Sequence, residues 1–204
     1  MKVSNKKHWD SIYETKTPEQ VSWTQQTPEI SLDFIHSLSL DLNASIIDIG
    51  GGDSNLVDHL LDEGYKNITI LDISAKSLEK AQKRLGSRSN NVKWIVSDMN
   101  DYEPTSQFDL WHDRAAFHFQ TSDEQIKKYV KTVGKHVSGF LILGTFSEDG
   151  PLKCSGLDIK QYSVEQLVSC FEENFVKIQC KNHDHITPFE TIQNFTFCCL
   201  KRIR

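Results

Sequence analysis

The sequence predicts an α/β fold: a doubly wound, mostly parallel sheet that ends in an antiparallel C-terminal β-hairpin. Three observations carry this. Short apolar runs alternate with segments whose apolar residues recur at helical spacing, the rhythm of βαβ units. Capping residues and glycines punctuate the helical segments, so each has a legible start and stop. The last two apolar runs, Phe175 to Cys180 and Phe195 to Leu200, have no helix between them and should pair antiparallel.

Trp9, Ile12 and Tyr13 give the segment from Lys7 to Thr15 a helical apolar face, and a loop with Pro18 and Trp23 follows. Thr27 reads as an N-cap with Pro28 at the first position of a helix striped by Ile30, Phe34, Ile35 and Leu38. Ser45 to Ile49 is a first strand that runs into Gly50-Gly51-Gly52. Leu56, Val57, Leu60 and Leu61 form a helix closed by Gly64, and Ile68 to Leu71 is a second buried strand. Ser74 caps a helix carrying Leu78, Ala81 and Leu85 and closed by Gly86. Val92 to Val96 and Phe108 to His112 are strands three and four. Capping boxes at Ser122/Gln125 and Ser163/Gln166 open two further helices, with a fifth strand, Phe140 to Leu143, between them.

A chain of 204 residues without internal repeats or low-complexity linkers reads as one domain. A formal charge of −5 argues against nucleic-acid partners, which usually need a basic face. No apolar stretch approaches the ~20 residues that span a membrane. The opening MKVSNKKHWD is basic with no apolar segment behind it, so it is not a secretory signal. Five cysteines, odd in number and without a CxxC pair, read as reduced thiols of a cytoplasmic protein.

In doubly wound sheets ligands sit at the carboxyl ends of the strands, and the unusual residues gather there. Asp48 lies in the first strand, and the three glycines allow a tight turn and close approach of backbone to a ligand. Asp53 and Ser54 open the next helix, where free N–H groups can meet a carboxylate. Asp72 ends the second strand, about 20 residues after Gly50, where an acid can accept hydrogen bonds from both ribose hydroxyls. Asp98 follows the third strand and is placed for an adenine amino group. Each feature alone is compatible with an ordinary turn, loop acid or cap; all at the ends of successive strands point to a nucleoside cofactor.

At these residues the chain resembles the class I, Rossmann-like S-adenosylmethionine (SAM)-dependent methyltransferases, over nearly its whole length. IIDIGGGDSNL (46–56) is similar to the family's first motif, ITILDIS (68–74) to its second-strand acid and WIVSDMND (94–101) to its adenine-side acid. FDLWHDRAAFHF (108–119) resembles the strand-four motif beside the methyl-transfer site. The segment HWDSIYETKTPEQVSWTQ (8–25) resembles the lid of a small methyltransferase-like subgroup, which implies that Trp9, Tyr13 and Trp23 close over the cofactor. The resemblance implies a lid over residues 1–40, a core over 45–204, and a cofactor set that also includes Ile73 and Met99. Ser54 stands where the family often has a third glycine, and the strand-four motif is not the Asn-Pro-Pro-Tyr type linked to methylation of base or glutamine amino groups.

Two other classes fit part of the pattern. A dehydrogenase would use Gly50, Gly52 and Asp72 for NAD, but its third glycine position holds Asn55, and it gives Asp98 and the hairpin no role. A catalytically dead binding module would keep the fold without the chemistry. For catalysis the candidates surround strand four: Arg114 to pair with a carboxylate of cofactor or acceptor, and His118 to take a proton, with His112 and Asp113 nearby. An Arg114–Asp ion pair and a satisfied helix histidine are the plainer alternatives. Cys154 with His183 and His185 could hold a soft metal, but a solvated hairpin loop accounts for the histidines better, and no metal is expected. Trp94, Trp111, Cys198 and Cys199 read as packing residues, and Lys80, Lys83, Arg84 and Arg88 as a solvated basic helix face. Without a second domain or long insertion the acceptor is expected to be a small molecule, with a protein lysine as the alternative.

Overall fold

The computed structural model describes residues 5–203; the first four residues of the basic opening segment and Arg204 lie outside it. Two compact units divide the chain: residues 1–102 with Thr187–Glu190, and Glu103–Ile186 with Thr191–Arg204.

The first unit holds α1 (Asn5–Thr15), α2 (Glu29–Ser37), β1 (Ser45–Ile49), α3 (Leu56–Asp62), β2 (Asn67–Asp72), α4 (Ala75–Leu85) and β3 (Val92–Val96). Its strands lie parallel in the order β3-β2-β1, with Ile46 opposite Ile68 and Ile70 opposite Trp94. Ile46, Ile47 and Ile49, then Ile68, Ile70 and Leu71, are buried without alternation, as strands covered on both faces must be. Ser74 accepts from the Ser77 N–H to start α4, and Gly86 ends it. One expected cap shifts: α2 begins at Glu29 with Pro28 as its cap residue and no side-chain cap bond, because the Pro28 carbonyl already takes the Leu32 N–H at 3.0 Å.

The second unit holds β4 (Phe108–Arg114), α5 (Asp123–His136), β5 (Val137–Phe146), β6 (Lys153–Cys154), β7 (Leu157–Asp158), α6 (Val164–Ser169), β8 (Phe175–Ile186) and β9 (Ile192–Arg202). β4 and β5 are parallel, β9 pairs antiparallel with β5, and β8 with β9. Both capping boxes form as the spacing predicts. Trp111, Phe117, Tyr129, Tyr162 and Phe171 build its aromatic core, each at most 2% exposed. The sheet thus has seven strands, mostly parallel, finished by the expected antiparallel hairpin. β6 and β7 form a small separate hairpin that no sequence pattern announces.

Two expectations are corrected here. The closing hairpin is longer than its apolar runs, so His183, Asp184 and His185 lie on β8 and not in a solvated loop. His185 is 4% exposed with its ring 6.2 Å from that of Phe195, and Asp184 accepts from Asn194 Nδ2 at 2.6 Å. The cysteines are not all reduced: Cys180 and Cys198 stand directly opposite on β8 and β9 and form a disulfide, leaving Cys154, Cys170 and Cys199 free. No helix among the described residues is long and apolar enough to cross a membrane.

Candidate active site

The glycine turn hangs from the end of β2, since Gly50 and Gly51 donate to the Leu71 carbonyl at 2.8 and 3.3 Å. Ser54 N–H closes it on the Gly51 carbonyl at 2.7 Å. At Gly52 φ is +44°, and a Cβ would lie 2.9 Å from Asp72 Oδ2 and 3.0 Å from the Tyr13 hydroxyl. Asp48, 3% exposed, sits against Gly51, where a Cβ would come within 2.6 Å of its Oδ2. Turn and acids therefore touch.

Asp72 is held by the Ser74 N–H, which donates to Oδ1 at 2.7 Å. Burial pushes its carboxyl up to about 7; the hydrogen bonds from Ser74 and Ser77 oppose this, and the charges of Asp48 and Asp10 add to it. Ser97 N–H donates to the Asp72 carbonyl at 3.0 Å, which draws the loop after β3 beside that acid. In that loop Asp98 is half-buried and accepts from Asn100 N–H and Nδ2 at 2.8 and 3.0 Å, and Met99 is buried. Ile73 is half-buried between Asp72 and the α4 cap.

The three expected lid aromatics come together. Trp9 and Trp23 meet edge-on at 5.6 Å, and Tyr13 lies 6.4 Å from Trp9 and 6.2 Å from Trp23. Two bonds fasten α1 to α4: Ser74 Oγ donates to Asp10 Oδ1 at 2.7 Å, and Lys80 Nζ donates to the Lys16 carbonyl at 2.9 Å. Asp10 is absent from the residues the sequence singles out. Its place three residues before Tyr13, on one helix face, is the signal that could have found it. On the basic helix face Lys83, Arg84 and Arg88 are exposed as expected, and Lys80, Arg84 and Arg88 are engaged in hydrogen bonds or ion pairs.

In the second unit the turn after β4 is built on Asp113, which accepts from Tyr129 Oη at 2.5 Å and from the Ala116 and Phe117 N–H groups at 3.0 Å each. Ala115 takes φ +66° in that turn. Burial raises the Asp113 carboxyl to about 6 against the pull of these bonds. Arg114 is half-buried, with its guanidinium 5.0 Å from the Phe195 ring centre. His118 is fully buried, and its Nδ1 accepts from the Phe146 N–H at 3.4 Å, which leaves the ring proton on Nε2. Burial, with Arg114 adding to it, lowers the His118 pKa to about 3, so the ring is neutral at physiological pH. Burial also lifts the Cys154 thiol to about 12. Among the described residues no group of three His, Cys, Asp or Glu side chains is placed to hold a metal.

Tyr129→Phe is expected to destabilise the fold by about 1–3 kcal/mol at pH 8, because it removes a donor from a buried carboxylate and an acceptor from Trp111 Nε1. The raised folded pKa of Asp113 costs stability as pH climbs from about 4 through 6, and the variant enlarges that cost. Urea denaturation should therefore show the deficit at pH 8 shrinking below about pH 4, where Asp113 is neutral folded or unfolded.

A glycine turn flanked by acids at the ends of β1, β2 and β3, on a sheet finished by a β-hairpin, defines a Rossmann-like cofactor-binding enzyme. Residues 46–139 match the methyltransferase domain family, and this match, with SAM-dependent methyltransferases among the solved structures of the same fold, supports a class I, Rossmann-like methyltransferase with SAM as its cofactor. It is similar to human EEF1A lysine methyltransferase 2, 23% identical over 158 residues that cover 69% of this chain and 67% of the relative. It is also similar to malonyl-[acyl-carrier protein] O-methyltransferase 2 of Ilyobacter polytropus, 26% identical over 106 residues, 52% of this chain and 40% of that one. Among curated relatives it spans as little as 17% of the mouse eEF1A lysine and N-terminal methyltransferase. Solved structures show the same fold. The structure for the conversion of a disulfide bond into a thioacetal group during echinomycin biosynthesis has a TM-score of 0.76 at 17% identity, covering 97% of this chain and 92% of that one. The N-methyltransferase NodS of Bradyrhizobium japonicum WM9, in complex with S-adenosyl-L-homocysteine (SAH), has a TM-score of 0.66 at 14% identity, covering 88% and 90%. The residues fit the cofactor: Gly52 leaves the backbone open beside Asp72, whose Oδ1 is tied to Ser74 while Oδ2 borders the turn.

Proposed function

We propose that the chain transfers the methyl group of SAM to a small-molecule acceptor, and that residues 1–204 act as one methyltransferase domain with residues 1–40 as its lid. The observation that carries this reading is the aromatic lid: Trp9, Tyr13 and Trp23 cluster where the Tyr13 hydroxyl meets Gly52, which suits a reactant enclosed on all sides. SAM supplies a reactive methyl on a sulfonium, so the chain's task is to place the nucleophile and exclude water. Asp72 takes the ribose hydroxyls, Asp98 with Met99 the adenine, and Asp48, Gly50, Gly51, Gly52 and Ile73 shape the remaining wall. Arg114 pairs with an anionic group of the acceptor. His118, expected from sequence to take a proton, is here a hydrogen-bond donor through Nε2–H instead, because its Nδ1 is engaged and its buried ring stays neutral.

A protein lysine is the second reading, favoured by the human relative whose name records that activity and which matches over 69% of this chain. Calorimetry on the purified chain is expected to give stoichiometric heat with SAH and none with NAD; heat with NAD alone would falsify the methyltransferase reading. Tritiated SAM incubated with cell extract and the enzyme should then label the small-molecule fraction. Label confined to protein would transfer the assignment to the lysine reading.

A further inference from the structure

Arg84, on the last turn of α4, reaches back to the segment that leaves the glycine turn. Its Nη1 donates to the Asp53 carbonyl at 3.2 Å and also to the Asp53 carboxylate, and its Nη2 donates to the Ser54 carbonyl at 2.8 Å. Nε and Nη2 meet Asp58 Oδ2, on α3, at 3.1 and 2.8 Å. The three side chains are 30%, 16% and 18% exposed, so this is not an ordinary solvated surface pair.

A trans peptide points its C=O and N–H in opposite directions, so binding the carbonyls of residues 53 and 54 also fixes the N–H groups of Ser54 and Asn55. Ser54 N–H is the group that closes the turn on Gly51 from the other side. The guanidinium directs its donors at two adjacent carbonyls and two carboxylates at once, more acceptors than the three donors of an ammonium can serve. Arg84 also stands on the helix whose cap, Ser74, holds Asp72, so one rigid element fixes both the ribose acid and the exit of the glycine turn. Among the described residues Arg88, four residues on, meets the carboxylates of Asp62 and Asp58 and no backbone of the turn.

We propose that Arg84 is a positioning residue for cofactor binding: it clamps the Asp53–Ser54 backbone and so sets the wall facing the methionine end of SAM. This rests on the methyltransferase reading above. The full chain, its Arg84→Ala, Arg84→Lys and Arg88→Ala variants, and two probes, SAH and adenosine, separate the possibilities by calorimetry. Arg84→Ala is expected to weaken SAH about ten-fold, the scale of a lost pair of charge-assisted hydrogen bonds. Adenosine, which lacks the methionine end, should stay within about two-fold, since its contacts lie at Asp72 and Asp98. Arg84→Lys should recover part of the SAH loss, and Arg88→Ala should bind both probes as the parent does. Unchanged SAH affinity in Arg84→Ala, or equal loss of both probes, overturns the proposal. If Arg84→Ala does not fold, Arg84→Lys decides by the same comparison. Failure of the parent chain to bind SAH would sink the methyltransferase reading itself, and no Arg84 result can imitate that outcome.

Discussion

Replacing Asp72 with Asn is expected to weaken SAM binding about 100-fold, because on the proposed reading two ribose hydroxyls lose a charged acceptor at roughly 1.5 kcal/mol each. The parent protein should bind SAM about ten-fold more weakly at pH 6 than at pH 8, since burial holds the Asp72 carboxyl near 7 and the proposed contact with the ribose hydroxyls needs its ionised form. In Asp72→Asn that pH dependence should flatten. Calorimetric titration of SAH across pH 5.5–8.5, an interval chosen to bracket about 7, measures both effects.

Stability should move the other way. A carboxyl whose folded pKa stands above its unfolded value costs the fold stability as pH rises from about 4 to about 7, and the cost stays constant above that. Asn keeps an oxygen for the Ser74 N–H and carries no charge to desolvate. The ligand-free variant should therefore melt higher than the parent at pH 8, with the gain fading toward pH 4. Weaker binding together with a more stable fold cannot come from general damage. A variant that binds SAM normally would remove Asp72 from the site.

The parts of the proposed site that could be read from the chain are those encoded by neighbours in sequence. Gly50 to Gly52, Asp72 and Asp98 are legible because each follows or ends a short apolar run, and parallel strands deliver such positions to one edge. The capping boxes are legible because three residues suffice to make them. What stays hidden depends on partners far away in the chain. Asp10 finds Ser74 and Arg84 finds Asp53 only once α4 has packed, so in sequence the one is a helix acid and the other one of several surface cations. His183 to His185 look like a loop because an edge strand with water beside it tolerates polar residues on both faces. The disulfide follows from register: Cys180 opposes Cys198 only if the hairpin extends as far as Ile186 and Ile192. The burial of His118 is hidden because Phe146, whose N–H its ring accepts, lies 28 residues further on, at the end of β5.

Gly52→Ala is expected to abolish measurable SAM binding while leaving the protein folded. At φ +44° the added methyl costs about 1–2 kcal/mol of backbone strain, a modest fraction of a domain's stability. Its site effect is larger. The methyl would stand 2.9 Å from Asp72 Oδ2 and 3.0 Å from the Tyr13 hydroxyl, too close to both. Asp72 is buried with its other oxygen tied to Ser74, so it yields little, and Tyr13, half-buried on α1, must give way. The wedge thus fills the space beside Asp72 and pushes α1 off the turn in one step. Pairing Gly52→Ala with Tyr13→Phe removes one of the two collisions and should restore lid contact, read as Trp9 and Trp23 fluorescence, without restoring SAM affinity, because the collision with Asp72 remains. Gly51→Ala provides the contrast. Its methyl meets Asp48 and Ile70, at 2.6 and 2.8 Å, at the β1–β2 edge of the core, so stability should fall before any ligand is added. Near-normal SAM binding by Gly52→Ala would mean that the cofactor does not approach this turn.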